Sequence, residues 1–112
     1  MTDLTWAEFE RIELRVGTVL EAEAFPEARR PAYKLTVDFG PEIGTRRSSA
    51  QITDHYALED LVGKQVACVI NFPKKQIGPF MSECLVTGFV QADGSVILAV
   101  PDLPAENGTR LA

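Results

Sequence analysis

A chain of 112 residues with 46% hydrophobic and 24% charged side chains holds enough apolar surface for one domain around one core, and no shift of composition divides it. Its formal net charge of −5 argues against a non-specific polyanion binder, and no apolar run approaches the roughly 20 residues that cross a bilayer. Met1-Thr2-Asp3-Leu4-Thr5-Trp6 carries neither a basic stretch nor an apolar core, so a cytoplasmic protein with no signal peptide and no membrane insertion is expected.

Thr5-Trp6-Ala7-Glu8 reads as a capping box, in which hydroxyl and carboxylate satisfy free N–H groups. Trp6 and Phe9, then Ile12 or Glu13, follow at helical spacing, which predicts a helix over 6–12 with one apolar stripe facing inward. So short a helix is not stable alone, and the rest of the fold or a partner subunit must hold it. Residues 14–22 mostly alternate and are β-rich, predicting a long first strand in which Gly17 marks a bulge or sharp coil. Phe25 to Pro31 is a loop punctuated by two prolines. Tyr33 to Phe39 alternates with period two and predicts a second strand, Gly40 to Gly44 a turn, and Arg46 to Ile52 a third strand. Tyr56 to Leu61 predicts one or two helical turns stopped by Gly63, with Asp54 as the candidate cap. Gln65 to Phe72 is almost continuously apolar and reads as a buried strand. Pro73 to Pro79 reads as an exposed loop. Cys84 to Phe89 and Val96 to Val100 are strands joined across Ala92-Asp93-Gly94-Ser95, a strong hairpin signal. The tail from Pro101 to Ala112 is expected to pack on the surface. Five or six strands with a short N-terminal helix, and one short helix between strands 3 and 4, suit an all-β OB-type barrel spanning 1–112 as a single domain, although pattern alone leaves other small barrels open.

Nothing in this pattern speaks for catalysis. His55 is the only histidine, and it lies between Asp54 and Tyr56 with no neighbouring nucleophile in sequence. Glycine-rich phosphate-binding motifs are absent, and the carboxylates are scattered. Cys68 and Cys84 sit inside apolar runs and read as small buried hydrophobes. Two separated cysteines and one histidine are too few for a metal site. No enzyme activity, no cofactor and no metal are therefore expected. Charge is unevenly spread. Arg29, Arg30, Lys34, Arg46 and Arg47 crowd the 28–47 segment against Asp38 and Glu42 alone, and Lys74 and Lys75 are adjacent. These cations could form a local patch on an acidic body.

Two long strings carry a resemblance. One is Phe25-Pro26-Glu27-Ala28-Arg29-Arg30-Pro31-Ala32-Tyr33-Lys34-Leu35-Thr36-Val37-Asp38-Phe39-Gly40. The other is Asn71-Phe72-Pro73-Lys74-Lys75-Gln76-Ile77-Gly78-Pro79-Phe80-Met81-Ser82-Glu83-Cys84-Leu85-Val86. With Leu14-Arg15-Val16-Gly17-Thr18-Val19 and Ser48-Ser49-Ala50-Gln51-Ile52-Thr53, they make the chain resemble the CsaA branch of the tRNA-binding-domain family over nearly its whole length. The resemblance implies an OB barrel, a homodimer, and a chaperone-like role in protein export through preproteins and SecA. It also implies tRNA as a ligand of the parent family. Relatives that bind tRNA usually carry a Ser-x-Gly-Met run entering the fifth strand. Here Met81-Ser82-Glu83-Cys84 stands in its place, and Glu83 brings a side chain and a negative charge. Asn71, Lys74 and Lys75 match the family's asparagine and basic positions.

Two binding modes follow. Phe72, Pro73, Ile77, Phe80 and Met81 make the 72–81 segment apolar enough to grip unfolded peptide or preprotein segments, or else to plug the end of the barrel. Arg29, Arg30, Lys34, Arg46, Arg47, Lys74 and Lys75, with Asn71 and Ser82, could bind tRNA, with Tyr33 or Phe80 stacking a base. Exposed sheet edges favour pairing of two copies, with Trp6, Phe9, Val100 and Leu111 as candidates for the seam.

Overall fold

The computed structural model describes residues 1–112. Its elements in chain order are α1 (Trp6–Glu10), β1 (Leu14–Ala24), β2 (Tyr33–Asp38), β3 (Thr45–Ala50), α2 (Leu58–Leu61), β4 (Gln65–Val69), β5 (Lys75–Ile77), β6 (Phe80–Ser82), β7 (Leu85–Val86), β8 (Gly88–Val90) and β9 (Val96–Leu98). The main sheet runs in the order β3-β2-β1-β4-β7, and all its pairs are antiparallel. β1 serves two neighbours. Leu14 to Thr18 pair with β4, and Thr18 to Ala24 pair with β2. One strand can do this only by bending. The register slips between Val19 and Glu21, an extra residue that sharpens the twist and turns the sheet on itself.

The two outer edges then meet. Ser48 donates its hydroxyl to the Cys84 carbonyl (2.8 Å). The Glu83 N–H donates to the Arg47 carbonyl (2.7 Å), and the Arg47 N–H donates to the Glu83 carboxylate (3.0 Å). The result is a nearly closed five-stranded OB barrel with two short helices. Period-two alternation sends Leu35, Val37 and Phe39 inward, where they join Val19, Val66, Cys68, Leu61 and Leu98 in the core. Each side chain of Leu or Phe size removed from water contributes about 1.5–3 kcal/mol. α2 stoppers one end of the barrel with the fully buried Leu61. It ends at Leu61, and the chain turns away two residues later at Gly63, whose φ of 89° only glycine adopts at little cost.

Gly17 departs from expectation. It sits in regular register opposite Val66, and the bulge lies beyond it. Glycine is required here by space. A Cβ would stand 2.5 Å from Val37 Cγ1 and 2.8 Å from the Phe39 ring. Gly17→Ala should therefore overpack the core and cost about 1–3 kcal/mol in urea unfolding.

Other boundaries also shift. α1 stops at Glu10 and buries no residue. The inward-facing stripe is thus corrected: Trp6 is 66% exposed, meets the Phe9 ring at a tilt with centroids 5.4 Å apart, and finds no core in its own chain. The Thr5–Glu8 box forms as expected. The second helix is framed by the Asp60 carboxylate accepting from the Ala57 N–H (3.1 Å), so Asp54 is not its cap. The fourth strand ends at Val69, short of Phe72. The 73–79 segment is not simply a loop. β5 and β6 form a hairpin over it, turning at Gly78. A second cluster holds this hairpin to the barrel: Phe25, Ala32 and Phe80, flanked by Ala28 and Ile77. The strand expected from Cys84 to Phe89 breaks at Thr87, whose N–H and hydroxyl both donate to the Ala67 carbonyl. The tail lies along β1, with Gly108 and Leu111 N–H groups donating to Val16 and Leu14 carbonyls. No helix is long and apolar enough to cross a membrane.

Candidate functional site

A groove forms where the 25–32 loop, the C-terminal end of β3 and the β5–β6 hairpin converge. Phe25 anchors the loop at one end and Ala32 at the other, both buried against Phe80. This arches Glu27 to Arg30 outward, facing Ser49 from β3, Gln51 just past its end, and Lys75 and Gln76 from the hairpin. The groove encloses about 610 Å³. Ala28, Ala32 and Ile77 give it an apolar floor, while hydroxyl, amide and cationic groups stand around the floor. Arg29, Arg30 and Lys75 make no ion pair within the chain. Glu27 is the one carboxylate on the rim. Segments more than forty residues apart thus bring three free cations together. Ser49, Gln51 and Gln76 join them without any sequence signal that sets them apart from other polar strand residues.

The other cations are committed elsewhere. Arg46 donates to the Ile70 carbonyl (2.8 Å). The Arg47 guanidinium lies over the Phe80 ring, 4.4 Å from its centroid. Lys34 stands 3.8 Å from Glu23 and over the Phe25 ring. Lys74 meets the Glu83 carboxylate at 3.5 Å. Asn71 works as a clasp, its carbonyl accepting from the Glu13 N–H (3.1 Å) and its amide donating to the Arg11 carbonyl (2.7 Å). Ser82 accepts from the Ser49 N–H (3.3 Å) across the barrel closure. The seven cations are therefore not one free patch.

The apolar segment divides by strand alternation. Phe80 points in and is 3% exposed, and Ile77 opposite it is half-buried. Phe80 acts as plug, which corrects its expected exposure and removes it as a stacking platform, whereas Ile77 keeps one side open on the groove floor. The Tyr33 hydroxyl is spent on the Tyr56 carbonyl (2.8 Å). Phe72 and Pro73 remain exposed, as does Met81 beside Gln76 on the outer face of the hairpin.

A separate apolar hollow of about 470 Å³ lies on the opposite arrangement of strands, where β1, β4, β8 and the tail come together. Val16, Ala67, Phe89, Val100 and Leu111 line it. Phe89 is 65% exposed, and Val100 and Leu111 are about half exposed. Two of the four expected seam residues therefore share one hollow. α1, carrying Trp6 and Phe9, is tied to the same tail by Arg110, which donates to the Glu10 carbonyl. Arg110 and Arg15 also flank Glu13, and the Arg15 hydrogen bond, with help from Arg110, holds that carboxyl below its usual range.

No three His, Cys, Asp or Glu side chains converge on a metal position. Cys68 and Cys84 are buried free thiols in contact, and that contact together with burial pushes the Cys68 thiol up, away from reactivity. Asp93, near His55, is held low mainly by the Ser95 hydroxyl and N–H. That is a turn motif, not a nucleophile–base pair.

A family described as a putative tRNA-binding domain matches residues 14–110. Among solved structures, the chaperone CsaA of Bacillus anthracis superposes with a TM-score of 0.93 at 46% identity, covering 99% of this chain and all of that one. The CsaA chaperone protein of Picrophilus torridus does so with a TM-score of 0.91 at 45% identity, covering 98% and 100%. Methionine--tRNA ligase of Porphyromonas gingivalis is 34% identical over 97% of this chain. The chain spans only 16% of that enzyme's length. It belongs to the tRNA-binding-domain family and, within that family, to its CsaA branch.

Proposed function

We propose that the protein is a cytoplasmic, non-enzymatic chaperone that holds unfolded polypeptide, preprotein segments in particular, and works as a homodimer with SecA as its export-side partner. The groove beside the hairpin carries this reading. Ser49, Gln51 and Gln76 offer hydroxyl and amide groups to a peptide main chain, over the apolar floor of Ala28, Ala32 and Ile77. Phe72 and Met81 extend apolar surface on the outer side of the same hairpin region, and methionine adapts to many side chains. The likeness to the two solved CsaA chaperones covers 99% and 98% of this chain and all of each of theirs. Calorimetry with unfolded, signal-bearing peptides should give saturable binding that changes little with salt. Absence of heat at high micromolar peptide overturns this reading.

A second reading, tRNA binding, is favoured by Arg29, Arg30 and Lys75, three unpaired cations in one groove. Phosphate contacts release counterions, so affinity falls steeply as salt rises. Removing Arg29 and Arg30 together by alanine substitution should flatten the log–log salt dependence of tRNA binding by about two contacts. A gel-shift salt series measures this. An unchanged slope removes these arginines from the tRNA site.

A further inference from the structure

Glu83 is held at the barrel closure by three contacts that do different jobs. Its N–H donates to the Arg47 carbonyl (2.7 Å). One carboxylate oxygen accepts from the Arg47 N–H (3.0 Å). The other faces Lys74 Nζ at 3.5 Å. The first two bonds join β3 to the chain between β6 and β7, and they need an acceptor but no charge. A glutamine at this position would make them equally well. The charge serves only Lys74, whose side chain is 65% exposed and spends no other ion pair. A lysine ammonium and a backbone N–H converging on one oxygenated anion form the kind of pairing that binds a phosphate. Here the chain supplies the anion itself, against Lys74, and Glu83 directly follows Ser82, which pairs with the groove residue Lys75 and accepts from the N–H of the groove residue Ser49.

We infer that Glu83 is a specificity-determining residue: its carboxylate fills from within the chain an anion position made by Lys74 and the Arg47 N–H, and so lowers the affinity of the adjoining cationic groove for phosphate-bearing ligands. The inference deepens the tRNA reading and rests on it for the identity of the natural anion. A phosphate that reaches from the groove to Lys74 must displace Glu83 or share Lys74 with it, whereas a peptide lying on the apolar floor need not. Glu83 thus weights the groove toward polypeptide.

The test is Glu83→Gln in the full chain, titrated with tRNA and, separately, with inorganic pyrophosphate. The variant should bind tRNA roughly two- to tenfold more tightly, with a salt slope steeper by about one contact. Peptide affinity should not change. Adding Lys74→Ala to Glu83→Gln should erase the gain. Equal tRNA affinity and slope in wild type and variant overturn the inference and leave the tRNA reading standing. A gain with pyrophosphate but no tRNA binding by either protein upholds the role of Glu83 and removes tRNA as the ligand. No gain with either probe overturns the inference, whatever happens to the melting temperature.

Discussion

Phe80→Ala should lower the free energy of unfolding by about 3–5 kcal/mol, measured by urea denaturation at fixed protein concentration. Phe80 is buried between Phe25 and Ala32, and its ring meets that of Phe25 at 5.4 Å. Truncation leaves a cavity that the short β6 strand cannot collapse into, because Phe80 and Ser82 bracket the hairpin's attachment to β3. The Arg47 guanidinium loses the ring face it lies on. Phe72→Ala is the matched control. Phe72 is 56% exposed, so its truncation should change stability by no more than about 0.5 kcal/mol while weakening peptide binding. The pair separates plug from ligand surface inside one apolar segment. A loss below about 1 kcal/mol for Phe80→Ala contradicts the buried role.

That segment also marks how far the sequence is legible. Tyr33 to Phe39 alternates cleanly, and its inward residues Leu35, Val37 and Phe39 are fully buried. The Thr5–Glu8 box and the Asp93-Gly94 turn are local chemistry, and both form where expected. Alternation is invisible in Lys75-Gln76-Ile77-Gly78-Pro79-Phe80-Met81-Ser82, because each strand has three residues and two helix-and-strand breakers stand between them. The family resemblance supplied the barrel but not which of its cations are free. Arg46 and Arg47 look no different in sequence from Arg29 and Arg30. Tertiary contacts at Ile70 and Phe80 decide their fates. Likewise Gly17 was expected to bend the strand, whereas the bend falls at residues 19–21 and the glycine instead makes room for Val37 and Phe39.

Phe89→Asp should dissociate the proposed dimer while leaving the protomer folded. The hollow it borders joins Val16 and Ala67 from the barrel wall to Val100 and Leu111 from the C-terminal segment, and a monomer in water leaves all of that apolar surface wet. A second copy related by a twofold axis would cover each hollow with the same surface of its partner. Phe89 stands at the hollow as a large, exposed aromatic ring on β8, opposite Ile97 of β9. Aromatic residues of this kind dominate interface energy, at about 2–4 kcal/mol when truncated. A carboxylate adds the cost of desolvating a charge in a mostly apolar seam. The dimer dissociation constant should rise roughly 30- to 1,000-fold. Sedimentation at micromolar concentration should report the 12.3 kDa chain for the variant and twice that mass for wild type. Because Phe89 makes little contact within its own protomer, protomer stability should shift by only about 0.5 kcal/mol, which separates lost assembly from lost fold. Wild type sedimenting as a single chain at these concentrations removes the dimer.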